Sequence, residues 1–125
     1  MPAIPVPEVL HGLEPANVWR FFGELSTIPR PSYKEERVLV WLKDFANERG
    51  LEYAQDAAGN MVIRRPGTAG GEGAAPVIVQ GHLDMVTEKN TDVDHDFDND
   101  PIRLLSKDGW ITADGTTLGA DNGGF

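Results

Sequence analysis

The chain has 125 residues, 40% of them hydrophobic, no cysteine and a formal net charge of -9. That length suits one domain or part of one, and no apolar run approaches the ~20 residues that a membrane-spanning helix needs. Missing cysteines exclude disulfides, thiolate metal sites and cysteine nucleophiles, and the acidity argues against the Lys and Arg clusters that hold a nucleic-acid backbone; neither a nucleic acid nor a membrane is an expected partner.

The first dozen residues, with Pro2, Pro5 and Pro7, lack the basic and apolar regions of a secretory signal, which points to a cytoplasmic address. Residues 1–12 read as a poorly ordered lead-in, and residues 13–125 as a single unit without internal repeat. Glu14-Pro15 opens a helix whose apolar stripe is Val18, Phe21, Phe22 and Leu25, ending before Pro29. Ser32-Tyr33-Lys34-Glu35 has capping-box spacing and starts a second helix carrying Val38, Trp41, Leu42 and Phe45, which stops at Gly50. Two hairpins follow in the pattern, one from residues 52–56 and 61–65, the other from residues 102–105 and 110–112 around the turn Lys107-Asp108-Gly109. Between them, the glycine-rich residues 66–76 form a connection and residues 77–80 a short β-branched strand suited to the middle of a sheet. The fold class is α/β.

That strand runs into Gly81-His82-Leu83-Asp84, so an imidazole and a carboxylate two positions apart sit where a strand runs out, the usual place for ligand sites in open sheets. Residues i and i+2 of an extended segment point to one side, which lets Asp84 reach the His82 ring or a shared cation. Without cysteine, a metal must be held by His, Asp or Glu, a donor set for hard or borderline divalent ions. Asp121, in the glycine-dense Gly119-Ala120-Asp121-Asn122-Gly123, reads first as a turn and only second as a carboxylate that close backbone approach brings to a cation. Alternating aspartates from Asp92 to Asp100 suggest a calcium loop, but Phe97 or Asn99 stands where glycine is needed, leaving a solvated loop with His95 exposed in it; His11 is read as exposed too. A serine-hydrolase elbow and a zincin helix are both absent from the sequence.

Four ordered motifs carry a resemblance: residues 26–36 (Ser-Thr-Ile-Pro-Arg-Pro-Ser-Tyr-Lys-Glu-Glu), 56–64 (Asp-x-x-Gly-Asn-Met-Val-Ile-Arg), 79–90 (Val-Gln-Gly-His-Leu-Asp-Met-Val-Thr-Glu-Lys-Asn) and 116–123 (Thr-Thr-Leu-Gly-Ala-Asp-Asn-Gly). Together they resemble the amino-terminal part of the aminoacyl-histidine dipeptidases, also called Xaa-His or cytosol non-specific dipeptidases, of the M20 metallopeptidases. The resemblance implies part of a mixed-sheet α/β catalytic domain flanked by helices, with a separate lid or dimerisation domain outside these residues. It also implies a homodimeric parent protein that hydrolyses dipeptides with two bound Zn2+ ions, or Mn2+ or Co2+ in their place. His82 falls on a ligand of one metal, Asp84 on the carboxylate supporting that histidine, and Asp121 on the carboxylate bridging both. The family's general-base glutamate and remaining ligands follow the bridging aspartate and match none of the acids here, neither Glu72 nor Glu88. The expectation is an incomplete catalytic domain, inactive alone and weak in metal binding. The alternatives are a non-catalytic scaffold and an M20-type N-acyl amino acid amidohydrolase.

Overall fold

The computed structural model describes residues 4–120. Its regular elements are a 3-10 turn at Glu8–Leu10, α1 (Ala16–Ser26), α2 (Glu36–Glu48), β1 (Glu52–Gln55), β2 (Met61–Arg64), β3 (Leu104–Lys107) and β4 (Trp110–Ala113). They fall into two compact units, one running up to Val38 and resuming at Gly81, the other spanning Leu39–Gln80.

In the first unit, Pro15 enters α1 with the backbone angle a helix start needs, and the Glu14 carboxylate accepts the Ala16 N–H at 2.8 Å. Phe22 and Leu25 are buried while Val18 is 51% exposed, so the helix's buried stripe is narrower than its apolar pattern. Phe22 packs with Leu10, Met85, Ile102 and Leu104, and Trp19 meets the Phe22 ring edge-on at 5.9 Å. Leu10 lies within the lead-in but is only 2% exposed, and Val6, Val9 and Leu13 pack partly buried against the same cluster. Strands β3 and β4 pair antiparallel, Leu105 opposite Thr112. Their two-residue turn, Asp108-Gly109, has φ of 52° and 81°, the doubly left-handed geometry that matches strand twist in a tight hairpin.

The second unit holds most of α2, where Trp41 and Ala46 are buried and the Trp41 and Phe45 rings lie 5.8 Å apart. Gly50 takes φ 61° and lets the Leu51 N–H return to the Ala46 carbonyl at 2.9 Å, closing the helix end. Strands β1 and β2 pair antiparallel, Tyr53 opposite Ile63. Asp56 organises their turn by accepting the backbone N–H groups of Ala58 and Asn60, each at 2.9 Å, and the Asn60 side-chain amide at 2.8 Å. Those donors, the Asn60 side chain foremost, hold the Asp56 carboxyl below its ordinary value.

Both hairpins and both helices form, with α2 beginning only at Glu36 and β3 running Leu104–Lys107 rather than over residues 102–105, and the α/β composition stands. Two expectations do not hold. Residues 77–80 form no strand: Val77, Ile78 and Val79 are 86%, 89% and 89% exposed, and among the described residues no strand lies beside them. A β-branched run favours the extended form, but a strand needs a partner for its N–H and C=O groups. The described strands make two separate antiparallel pairs. His95 is buried, at 5% exposure, because its ring packs edge-on against Phe97 at 4.5 Å.

Candidate functional site

The backbone from Gly81 to Asp84 is irregular and is fixed at its far end by Met85, whose N–H donates to the Arg30 carbonyl at 3.0 Å, with Pro31 and Met85 forming a parallel bridge. Residues 82 and 84 therefore project beside the segment Arg30-Pro31-Ser32. The His82 ring nitrogen Nδ1 lies 2.9 Å from Asp84 Oδ1 and 3.1 Å from the Asp84 carbonyl oxygen. Both oxygens only accept, so Nδ1 carries the hydrogen and the neutral ring has its lone pair on Nε2. The side chain is half exposed.

The other carboxylate oxygen of Asp84, Oδ2, accepts a short hydrogen bond from the Ser32 hydroxyl. Ser32 had the spacing of a helix cap; instead its hydroxyl reaches Asp84, and Glu35 alone performs the local role by accepting the Tyr33 N–H at 2.8 Å. The helix then begins at Glu36, three residues beyond the start that a Ser32 cap implies. The Ser32 hydroxyl, and next the His82 ring, hold the Asp84 carboxyl below its usual value, so it is an anion throughout the neutral range. The result is a directed row, Ser32 to Asp84 to His82, that fixes one tautomer and one ring orientation.

A second junction joins two of the sequence motifs. Thr117 donates its hydroxyl to the Val86 carbonyl at 2.6 Å and its N–H to the Glu88 carbonyl at 2.9 Å, while the Asn90 N–H donates to the Gly115 carbonyl at 2.8 Å. Glu88, Lys89 and Asn90 on one side and Gly115, Thr116 and Thr117 on the other line a hollow of about 430 Å³. Neither His82 nor Asp84 borders it. The chain then passes Gly119, whose carbonyl accepts from Arg30 at 2.6 Å.

His82 and Asp84 are thus brought together, whereas Asp121 lies outside the described residues. Among the described residues no three of His, Cys, Asp and Glu are grouped to hold a metal ion. Sequence reasoning missed Ser32 in this role and passed over Arg30. The available signal was Pro29-Arg30-Pro31, two prolines fixing the backbone around one charged residue.

No family model matches the chain. It is 46% identical over 114 residues to the cytosol non-specific dipeptidase of Escherichia coli (strain K12), a match covering 91% of this chain and 24% of that protein. The crystal structure of aminoacylhistidine dipeptidase from Vibrio alginolyticus matches with a TM-score of 0.85 and 44% identity, covering 90% of this chain and 23% of that one. The chain spans about a quarter of the length of these relatives, and it is similar to their amino-terminal part. Both relatives are, by name, dipeptidases, in agreement with the four motifs.

Proposed function

We propose that this chain, as the counterpart of the amino-terminal quarter of such dipeptidases, supplies one half of a two-metal site for dipeptide hydrolysis, within a mixed-sheet α/β catalytic domain. The observation that carries the reading is the row Ser32–Asp84–His82, in which the carboxylate engages Nδ1 of the ring. An imidazole held by a carboxylate on its far nitrogen suits a borderline cation such as Zn2+, with Mn2+ or Co2+ as substitutes. His82 would hold one ion and Asp121 would bridge two; the remaining ligands and a glutamate base belong to the rest of the relatives' length. When bound, the cations supply Lewis acidity toward a water molecule and the scissile carbonyl.

Asp84 keeps the hydrogen on Nδ1, so the ring never turns its protonated nitrogen toward the cation. Ser32 anchors Asp84, and the lowered carboxyl value keeps the negative charge that raises the donor strength of the ring. The reading carries with it a cytoplasmic address and, for a protein of the relatives' full length, a homodimer.

Residues 1–125 alone are expected to show no peptidase activity and only weak Zn2+ binding, since two or three ligands do not close a shell. The test is to assay the 125-residue chain, and a polypeptide that carries it and spans the relatives' full length, on aminoacyl-histidine dipeptides and on N-acyl amino acids with added Zn2+. Chelator-sensitive dipeptide turnover by the longer polypeptide alone supports the proposal. Turnover by the 125 residues overturns the half-site, and preference for N-acyl amino acids changes the reaction to deacylation.

A further inference from the structure

Arg30 is the largest fully buried side chain among the described residues, at 1% exposure. A buried guanidinium normally marks a position where its planar fork is used in full. Here it holds two separate stretches at once. Nη1 donates to Met85 Sδ at 3.5 Å and Nη2 to the Gly119 carbonyl at 2.6 Å, while the Arg30 carbonyl accepts the Met85 N–H at 3.0 Å. Gly119 is shaped for this approach. It takes φ +68°, and a Cβ there would stand 2.9 Å from Met85 Sδ and 3.0 Å from Arg30 Nη2.

The two stretches are the ones that bear the candidate metal residues. Met85 directly follows Asp84, and Gly119 lies two residues before Asp121. We propose that Arg30 is a positioning residue that sets the spacing between the His82–Asp84 turn and the loop leading to Asp121, and thereby the geometry of the metal pair. It acts through Met85 and Gly119. The last step rests on the dipeptidase reading; the tie between the two stretches does not.

The test uses a polypeptide carrying these residues at the relatives' full length, loaded with Co2+, whose visible absorption reports ligand geometry. Arg30→Met keeps the bulk and removes the fork; Arg30→Lys keeps one donor; Leu25→Ala serves as a stability control away from both stretches. The expected result for Arg30→Met is a changed Co2+ spectrum and a kcat lower on the order of 100-fold, the effect of ~1 Å misplacement, with KM little altered. Arg30→Lys should fall between it and the parent, and Leu25→Ala should lower the melting temperature with an unaltered spectrum. Gly119→Ala attacks the same contact from the other side and should reproduce the spectral change if Arg30→Met does not fold. An unaltered spectrum and kcat in whichever of these variants folds overturns the inference, as does loss of folding in both with Arg30→Lys indistinguishable from the parent. A parent that binds Co2+ but cleaves no dipeptide overturns the functional reading instead, while the spectra still decide the role of Arg30.

Discussion

The residues on either side of Gly81-His82 form a contrast. Upstream, Val77, Ile78 and Val79 have the strongest local preference for a strand in the chain, yet they are 86% to 89% exposed and unpaired among the described residues. Downstream, Met85 follows a turn of mixed polarity, yet it is 3% exposed and held by both backbone and side chain of Arg30. Order here follows from available partners. A β-branched run has only its intrinsic preference, worth at most ~1 kcal/mol per residue, whereas one buried guanidinium and a core contact fix a segment that has no such preference.

The sharpest way to break this contrast is to truncate both sides. Met85→Ala removes a side chain from the cluster with Leu10, Phe22, Ile102 and Leu104 and should cost about 2–5 kcal/mol in urea unfolding of the chain. Ile78→Ala should stay within about 0.5 kcal/mol, as exposed substitutions do; a cost above ~1 kcal/mol would show that the upstream run is packed after all. Smaller in effect, Asp84→Asn in a polypeptide of the relatives' full length should weaken Zn2+ binding about 10- to 100-fold, the usual loss when the partner of a ligating histidine is changed. Ser32→Ala acts one step further out and should cost less than Asp84→Asn, while raising the Asp84 titration toward its ordinary 3.8; carboxyl chemical shifts against pH would record both.

The smallest effect belongs to the β1–β2 turn. Because the folded Asp56 carboxyl titrates below its ordinary value of 3.8, its contribution is complete above that value and is lost as pH falls through the lower folded one. The amide signals of Ala58 and Asn60 should therefore be steady from neutral pH to about 4 and move only in stronger acid. Movement near pH 6 would mean that the turn depends on some other group.

What could be read from the sequence was what is decided within a few residues. Lys107-Asp108-Gly109 signals the turn of a hairpin, and Gly50 ends α2, because each depends on local backbone angles. The pairing of His82 with Asp84 follows likewise from extended spacing. Ser32 was misread because its local signal, a cap, lost to a partner at Asp84, far along the chain. His95 was misread for a similar reason: five neighbouring aspartates suggest solvent, and only the fold brings the Phe97 ring edge against it and the Lys89 ammonium onto its carbonyl. Arg30 was passed over because Met85 and Gly119, which it bonds, lie in distant segments and the flanking prolines fix only its own backbone.

The placement of the aromatic residues has a spectroscopic consequence. Trp19 lies against Phe22 in the first unit and Trp41 against Phe45 in the second, while Trp110 is 71% exposed on β4. Trp110 should emit to the red at all times, and the two shielded indoles should shift only when their own surroundings open. Replacing Trp110 with Phe and then Trp19 or Trp41 in turn yields two single-fluorophore chains. Their emission would report separately whether the two units melt in one transition or in two.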